Sequence, residues 1–272
     1  DYGSYSGRAT FITAPPLLSY YYAAFIKYFN ESENILHVSF LFFTFIAAAS
    51  MYYVAKRFTK KPLIASFLLI VTPIFFLMSH NLMADVPTLG FFLASIATYV
   101  YGVDKDNHIM VFIASIFISL GMLTKYTSLM LIPLLGFYSV LNKKYKSIFF
   151  LLIPIGITFL WGYYTATLYG SSHLGFVVSY VYNNITALAF SFFIRFLNVT
   201  TNIGGAILLP LFLFYPFMLK RENKIAYCMS AIIALLLSIG LYIYSENFIS
   251  GRYTLLQLIL FFIFVSAGLF AL

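Results

Sequence analysis

One acid, a few cations and many tyrosines stand between long apolar runs in this chain. Asp85 sits in MSHNLMADVPT, Lys125 and Tyr126 in GMLTKYTSLMLIP, Arg252 and Tyr253 in SENFISGRYTLL, and Arg8 lies shortly before a Pro-Pro pair. A carboxylate accepts the proton of a hydroxyl that is attacking another centre. Cations held in a partly dry place stabilise negative charge as it develops. Together these types suit an anionic substrate that meets a hydroxyl group. Each residue also has a plainer reading. Lys125 and Arg252 would serve as headgroup anchors of helices, and Asp85, two residues before Pro87, would cap the helix it starts. His80 and His173 have no His/Cys/Glu spacing around them and read as interface residues, while Cys228, the single cysteine, lies in an apolar run and reads as packing.

What must position these residues follows from composition. Of 272 residues, 62% are hydrophobic and only 9% charged, against roughly 25% charged in a soluble domain. So little charge does not cover a globular surface, and the outer surface has to face lipid. Backbone groups in lipid need internal partners, which leaves a helix bundle or a closed barrel. The apolar runs are continuous rather than alternating, which excludes the barrel. The expected fold is therefore all-α, a polytopic transmembrane helix bundle of about nine spans. The spans are expected at 34–56, 62–80, 85–103, 108–123, 127–142, 147–168, 200–219, 225–245 and 253–272. The segment APPLLSYYYAAFIKY at 14–28 is short for a span, and its three successive tyrosines suit the water–lipid boundary, so it reads as an interfacial helix. The more polar 169–199 reads as a long external loop with a surface helix. Pro73, Pro133, Pro154, Pro210 and Pro216 are placed to kink helices. Residues 1–272 read as one transmembrane domain that lacks a first helix before Asp1 and, beyond Leu272, more chain.

Charge sets the orientation. KRFTKK at 56–61, DKDN at 104–107, NKKYK at 142–146 and KREN at 220–223 with Lys224 fall on one side, holding eleven of the sixteen Lys and Arg and three of the eight acids. The opposite side keeps five of each sign. The positive-inside rule puts the first set in the cytoplasm, and with it Asp85, Lys125, Arg252 and Arg8 on the external face. The net charge of +8 is thus an orientation signal in short loops, and no nucleic-acid partner is expected.

These same residues carry a resemblance. APPLLSYYY at 14–22, HNLMADVPTLGFFLA at 80–94, GMLTKYTSLMLIPLL at 121–135 and GRYTLL at 251–256 resemble, in order, four segments of the polyprenyl-phosphate-sugar-dependent glycosyltransferases of the glycosyltransferase-C superfamily. The styles nearest to it are the dolichyl-phosphate-mannose protein mannosyltransferases and the bacterial aminoarabinose transferases. The resemblance implies a multi-pass enzyme of the plasma membrane with its active face outside the cytoplasm. It would transfer a hexosyl or pentosyl group from a polyprenyl-phosphate donor, with inversion, to a hydroxyl of a lipid, glycan or protein acceptor. It also implies a catalytic part for Asp85, orienting the acceptor or sharing the role of base, and substrate contacts for Lys125, Tyr126, Arg252, Tyr253 and Arg8. The departures are two. The acid that such enzymes carry in their first external loop is expected upstream of Asp1, and Ala14 stands where a basic residue precedes Pro-Pro. No cofactor is implied outright; a divalent metal stays open, though no ligand spacing marks a site. A polytopic transporter or lipid flippase is the alternative, but no charge falls mid-span and no internal repeat is visible. A non-catalytic scaffold is a third reading, which leaves the external polar cluster unexplained.

Overall fold

A computed structural model describes residues 15–29, 32–170, 172–175 and 179. It is helical throughout, with no strand among the described residues. The order is α1 (Leu17–Phe29), α2 (Glu33–Phe58), α3 (Pro62–Val71), α4 (Pro73–Ser79), α5 (Asp85–Asp104), α6 (His108–Thr124), α7 (Leu131–Leu141) and α8 (Leu152–Tyr169). Short 3-10 turns, Tyr126–Met130 and Tyr145–Leu151, lead into α7 and α8.

Each of the six spans expected between residues 34 and 168 meets a helix or a helix joined to a 3-10 turn. Among the described residues, Glu33–Phe58, Asp85–Asp104 and Tyr145–Leu168 are long and apolar enough to cross a membrane. The 17 residues of α6 reach about 25 Å at 1.5 Å per residue, close to the hydrocarbon thickness. The expected span at 62–80 is broken in two. Thr72 takes an extended conformation (φ −65°, ψ 125°) between α3 and α4, because the ring of Pro73 disfavours a helical residue before it. The interfacial segment forms α1, with Pro15 and Pro16 just ahead of its first residue. The expected spans at 200–219, 225–245 and 253–272 lie outside the described residues, as does most of the 169–199 loop.

The core lies around α5, which packs between α2 and α6 and is buried along most of its length, from Asp85 to Val103. Leu89, Phe92, Leu93 and Tyr99 of α5 meet Ala47 and Met51 of α2 and Ala114 and Ile118 of α6 in one apolar cluster. Some polar residues inside it bond across elements, the Tyr99 hydroxyl with the Ser139 hydroxyl at 2.8 Å and Ser115 to the Phe150 carbonyl at 2.8 Å, and others bond locally. The hydroxyls of Ser95, Ser115 and Ser119 donate to carbonyls four residues back, at 2.6, 3.1 and 2.8 Å, the usual solution for a hydroxyl without water. The outward faces are apolar too: Phe45, Phe67, Phe149 and Phe159 are all exposed, as a lipid-facing surface requires.

The basic loops gather at one end. The Arg57 guanidinium at the close of α2 pairs with Asp104 at the close of α5, and Tyr138 of α7 donates to the other oxygen of Asp104 at 2.7 Å. Lys144 pairs with Asp106. Three of the four basic loops are thereby joined on one face of the bundle, the grouping that the charge pattern predicts.

Candidate active site

At the other end, α5 and α6 bring together two residues that are forty positions apart. Asp85 is the first residue of α5, and 8% of its side chain is exposed. The exposed N–H groups of a helix start favour an anion there, so the acid has a structural reason for its place. Lys125 follows the last residue of α6. Its amide still closes on the Gly121 carbonyl at 2.8 Å, but its backbone is extended (φ −158°, ψ 129°), and Tyr126 begins a 3-10 turn. The Lys125 Nζ donates to the Asp85 Oδ1 at 2.9 Å. A charge-assisted bond of this length is among the stronger polar contacts a protein makes. The lysine side chain is 26% exposed, so the cation keeps a path to the surface that its partner lacks.

Tyr126 points away from that pair. Its hydroxyl lies 2.7 Å from the Nδ1 of His173, which is 3% exposed. The His173 amide in turn donates to the Thr165 Oγ1 of α8 at 3.2 Å. The same 3-10 turn carries Thr127 and Ser128, whose buried hydroxyls have no hydrogen-bond partner. Buried polar atoms without partners are uncommon, and each asks for a reason.

An apolar cavity of about 300 Å³ opens near the pair, lined not by Asp85 or Lys125 themselves but by residues close to each in the chain. Its walls are Leu17, Leu18, Tyr20 and Tyr21 of α1, Phe43 of α2, Phe91 of α5 and Leu120 of α6. Pro87, two residues from Asp85, and Thr124, next to Lys125, complete it. Helix α1 closes one side of this space and is held in two ways. The rings of Tyr21 and Tyr22 pack against Phe43 and Phe40, with centroids 5.2 and 5.6 Å apart. The Tyr22 hydroxyl also donates to the Leu82 carbonyl at 2.7 Å, which ties α1 to the loop immediately before Asp85.

Of the residues singled out in the sequence, the structure thus brings Asp85, Lys125 and Tyr126 to one end. Arg8, Arg252 and Tyr253 lie outside the described residues. Among the described residues no group of three or more His, Cys, Asp or Glu stands close enough to hold a metal ion. His173 departs from its expected part as an interface residue, since it is buried and bonded to Tyr126. Tyr22 enters the sequence reading only as one of three interfacial tyrosines, and nothing in the local sequence marks Thr165. Compared with known proteins, residues 13–164 match the family profile described as dolichyl-phosphate-mannose-protein mannosyltransferase. No curated protein and no solved structure matches the chain.

Proposed function

The chain belongs to the dolichyl-phosphate-mannose-protein mannosyltransferase family, and from that premise we propose that it transfers a sugar from a polyprenyl-phosphate donor to an acceptor hydroxyl on the extracytoplasmic face, with inversion. The family makes it a membrane glycosyltransferase of the mannosyltransferase kind that uses a lipid-linked sugar. The donor, the face and the stereochemistry are our reading. The observation that carries it is the Asp85–Lys125 pair beside an apolar cavity, at the end of the bundle away from the basic loops.

A sugar carried on a polyprenyl phosphate has a good leaving group, which needs charge stabilisation more than a proton. In the proposed reaction the acceptor oxygen bonds to the anomeric carbon as the bond from that carbon to the phosphate oxygen breaks. The electron pair leaves on the phosphate, beside the Lys125 ammonium in a partly dry site, where such stabilisation is strong. The acceptor proton goes to a carboxylate. Asp85 orients the acceptor or shares that role with an acid of the first external loop. Arg252, Tyr253 and Arg8 are further contacts for the donor, and the apolar cavity beneath α1 suits the first units of its hydrocarbon chain. The acceptor is a lipid, glycan or protein hydroxyl.

The test is turnover by the purified protein in detergent with a panel of radiolabelled polyprenyl-phosphate sugars, following sugar lost from the lipid. One donor is expected to be consumed. Lys125→Ala should slow it by about a hundredfold, the usual loss for a group that stabilises developing charge, and Asp85→Asn by about tenfold or more. If no donor is consumed, or folded variants turn over like wild type, this reading fails and transport assays of the same lipids come next.

A further inference from the structure

Lys125 is a single extended residue between a helix and a 3-10 turn. Such a joint is a hinge unless it is braced on both sides. One brace is Asp85. The other is reached through Tyr126, whose hydroxyl meets the His173 Nδ1 at 2.7 Å. His173 is held by the hydrogen bond its backbone N–H donates to the Thr165 hydroxyl, and that hydroxyl donates to the α8 carbonyls of Gly162 and Trp161 at 2.9 and 3.1 Å. A line of polar contacts therefore runs from α8 through Thr165 and His173 to Tyr126, whose chain neighbour Lys125 bonds Asp85 on α5. Packing alone does not call for it. In a bundle this apolar, a leucine and a phenylalanine would fill the same volume, whereas a buried imidazole and phenol are costly unless they bond each other.

We propose that His173 is a positioning residue, which through Tyr126 holds the Lys125 turn so that its ammonium presents to a lipid-borne phosphate. The proposal rests on the reading of Lys125 given above. Opening the Tyr126–His173 bond lets the turn relax toward α6. The apolar cavity stays, but the phosphate loses part of its partner. The line predicts a selective loss: binding of the charged headgroup weakens while binding of the hydrocarbon chain does not.

Farnesyl phosphate and farnesol separate those two contributions, because they share the chain and differ in the phosphate. Their affinities for the protein in lipid nanodiscs give a phosphate-over-alcohol preference for wild type, Tyr126→Phe, His173→Ala, His173→Asn and Lys125→Ala. Lys125→Ala should reduce the preference most, by more than about tenfold. Tyr126→Phe and His173→Ala should each reduce it about fivefold, the effect of one lost hydrogen bond, and together reduce it no further. His173→Asn, whose amide sits near the Nδ1 position, should restore most of it, and farnesol affinity should stay constant throughout. If His173→Ala does not fold, Tyr126→Phe carries the comparison alone. A preference that survives Tyr126→Phe but not Lys125→Ala overturns the positioning role and leaves the function standing. A preference that Lys125→Ala leaves unchanged overturns both.

Discussion

Asp85 and Lys125 differ in how much each depends on the other. The carboxylate is 8% exposed at the side chain and the ammonium 26%, so removing the lysine strands a charge that has little water to turn to. Breaking a buried pair by removing one partner costs about 3–5 kcal/mol, and the partial exposure of this lysine puts Lys125→Ala toward the lower end. Asp85→Asn keeps the shape and removes the charge, and the ammonium left behind reaches solvent. Lys125→Ala should therefore lower the thermal unfolding temperature in detergent more than Asp85→Asn does, and the double variant should be more stable than Lys125→Ala alone. Equal losses that simply add would mean the two charges are not coupled. At this scale the sequence showed the residue types but not the pairing. Asp85 and Lys125 drew notice as charges next to apolar runs. His173 reads from the sequence only as an interface residue, because its partner is 47 positions away and a lone histidine near a span has no periodic signature.

The helices meet where side chains are absent. A Cβ on Gly102 would stand 2.7 Å from the Val111 Cγ2 and 2.9 Å from the Val111 amide nitrogen. That contact includes backbone, so the close turn from α5 into α6 leaves no room to adjust. Gly102→Ala gains about 1 kcal/mol of helix propensity but incurs overpacking of about 1–3 kcal/mol, and the net expectation is a lower unfolding temperature. Gly121 faces a softer neighbour. A Cβ there would lie 2.8 Å from the Ser128 Oγ and 3.2 Å from its Cβ, so the 3-10 turn that follows Lys125 has to shift by a few tenths of an ångström. Gly121→Ala should change the unfolding temperature little and donor turnover more, and turnover equal to wild type would show that the turn shifts without moving the Lys125 ammonium. Helix boundaries were legible because composition changes abruptly at Lys56–Lys61, Asp104–Asn107 and Asn142–Lys146. Pro73 announced the break between α3 and α4. The 3-10 starts of α7 and α8 were not legible, since their apolar pattern over a few residues is the same as that of an α-helix.

Across the whole molecule, the two ends carry different chemistry. One end joins Arg57, Asp104, Tyr138, Lys144 and Asp106 through ion pairs and a phenol bond, while the other holds Asp85, Lys125, Tyr126 and His173 around an apolar cavity. The charge count along the loops foretold this separation because the alternation of spans alone sends each loop to an end, whatever the packing between them. Which end faces the cytoplasm is a further step, and it rests on the excess of Lys and Arg. It has a direct test. With Cys228 changed to serine as a background free of thiols, Asn81→Cys and Lys60→Cys place single exposed thiols at opposite ends. A membrane-impermeant maleimide added to intact cells should label Asn81→Cys at once and Lys60→Cys only after the membrane is opened. That outcome would put the Asp85–Lys125 pair on the side where an acceptor outside the cytoplasm arrives. The opposite labelling would invert the chain and demand a cytoplasmic acceptor.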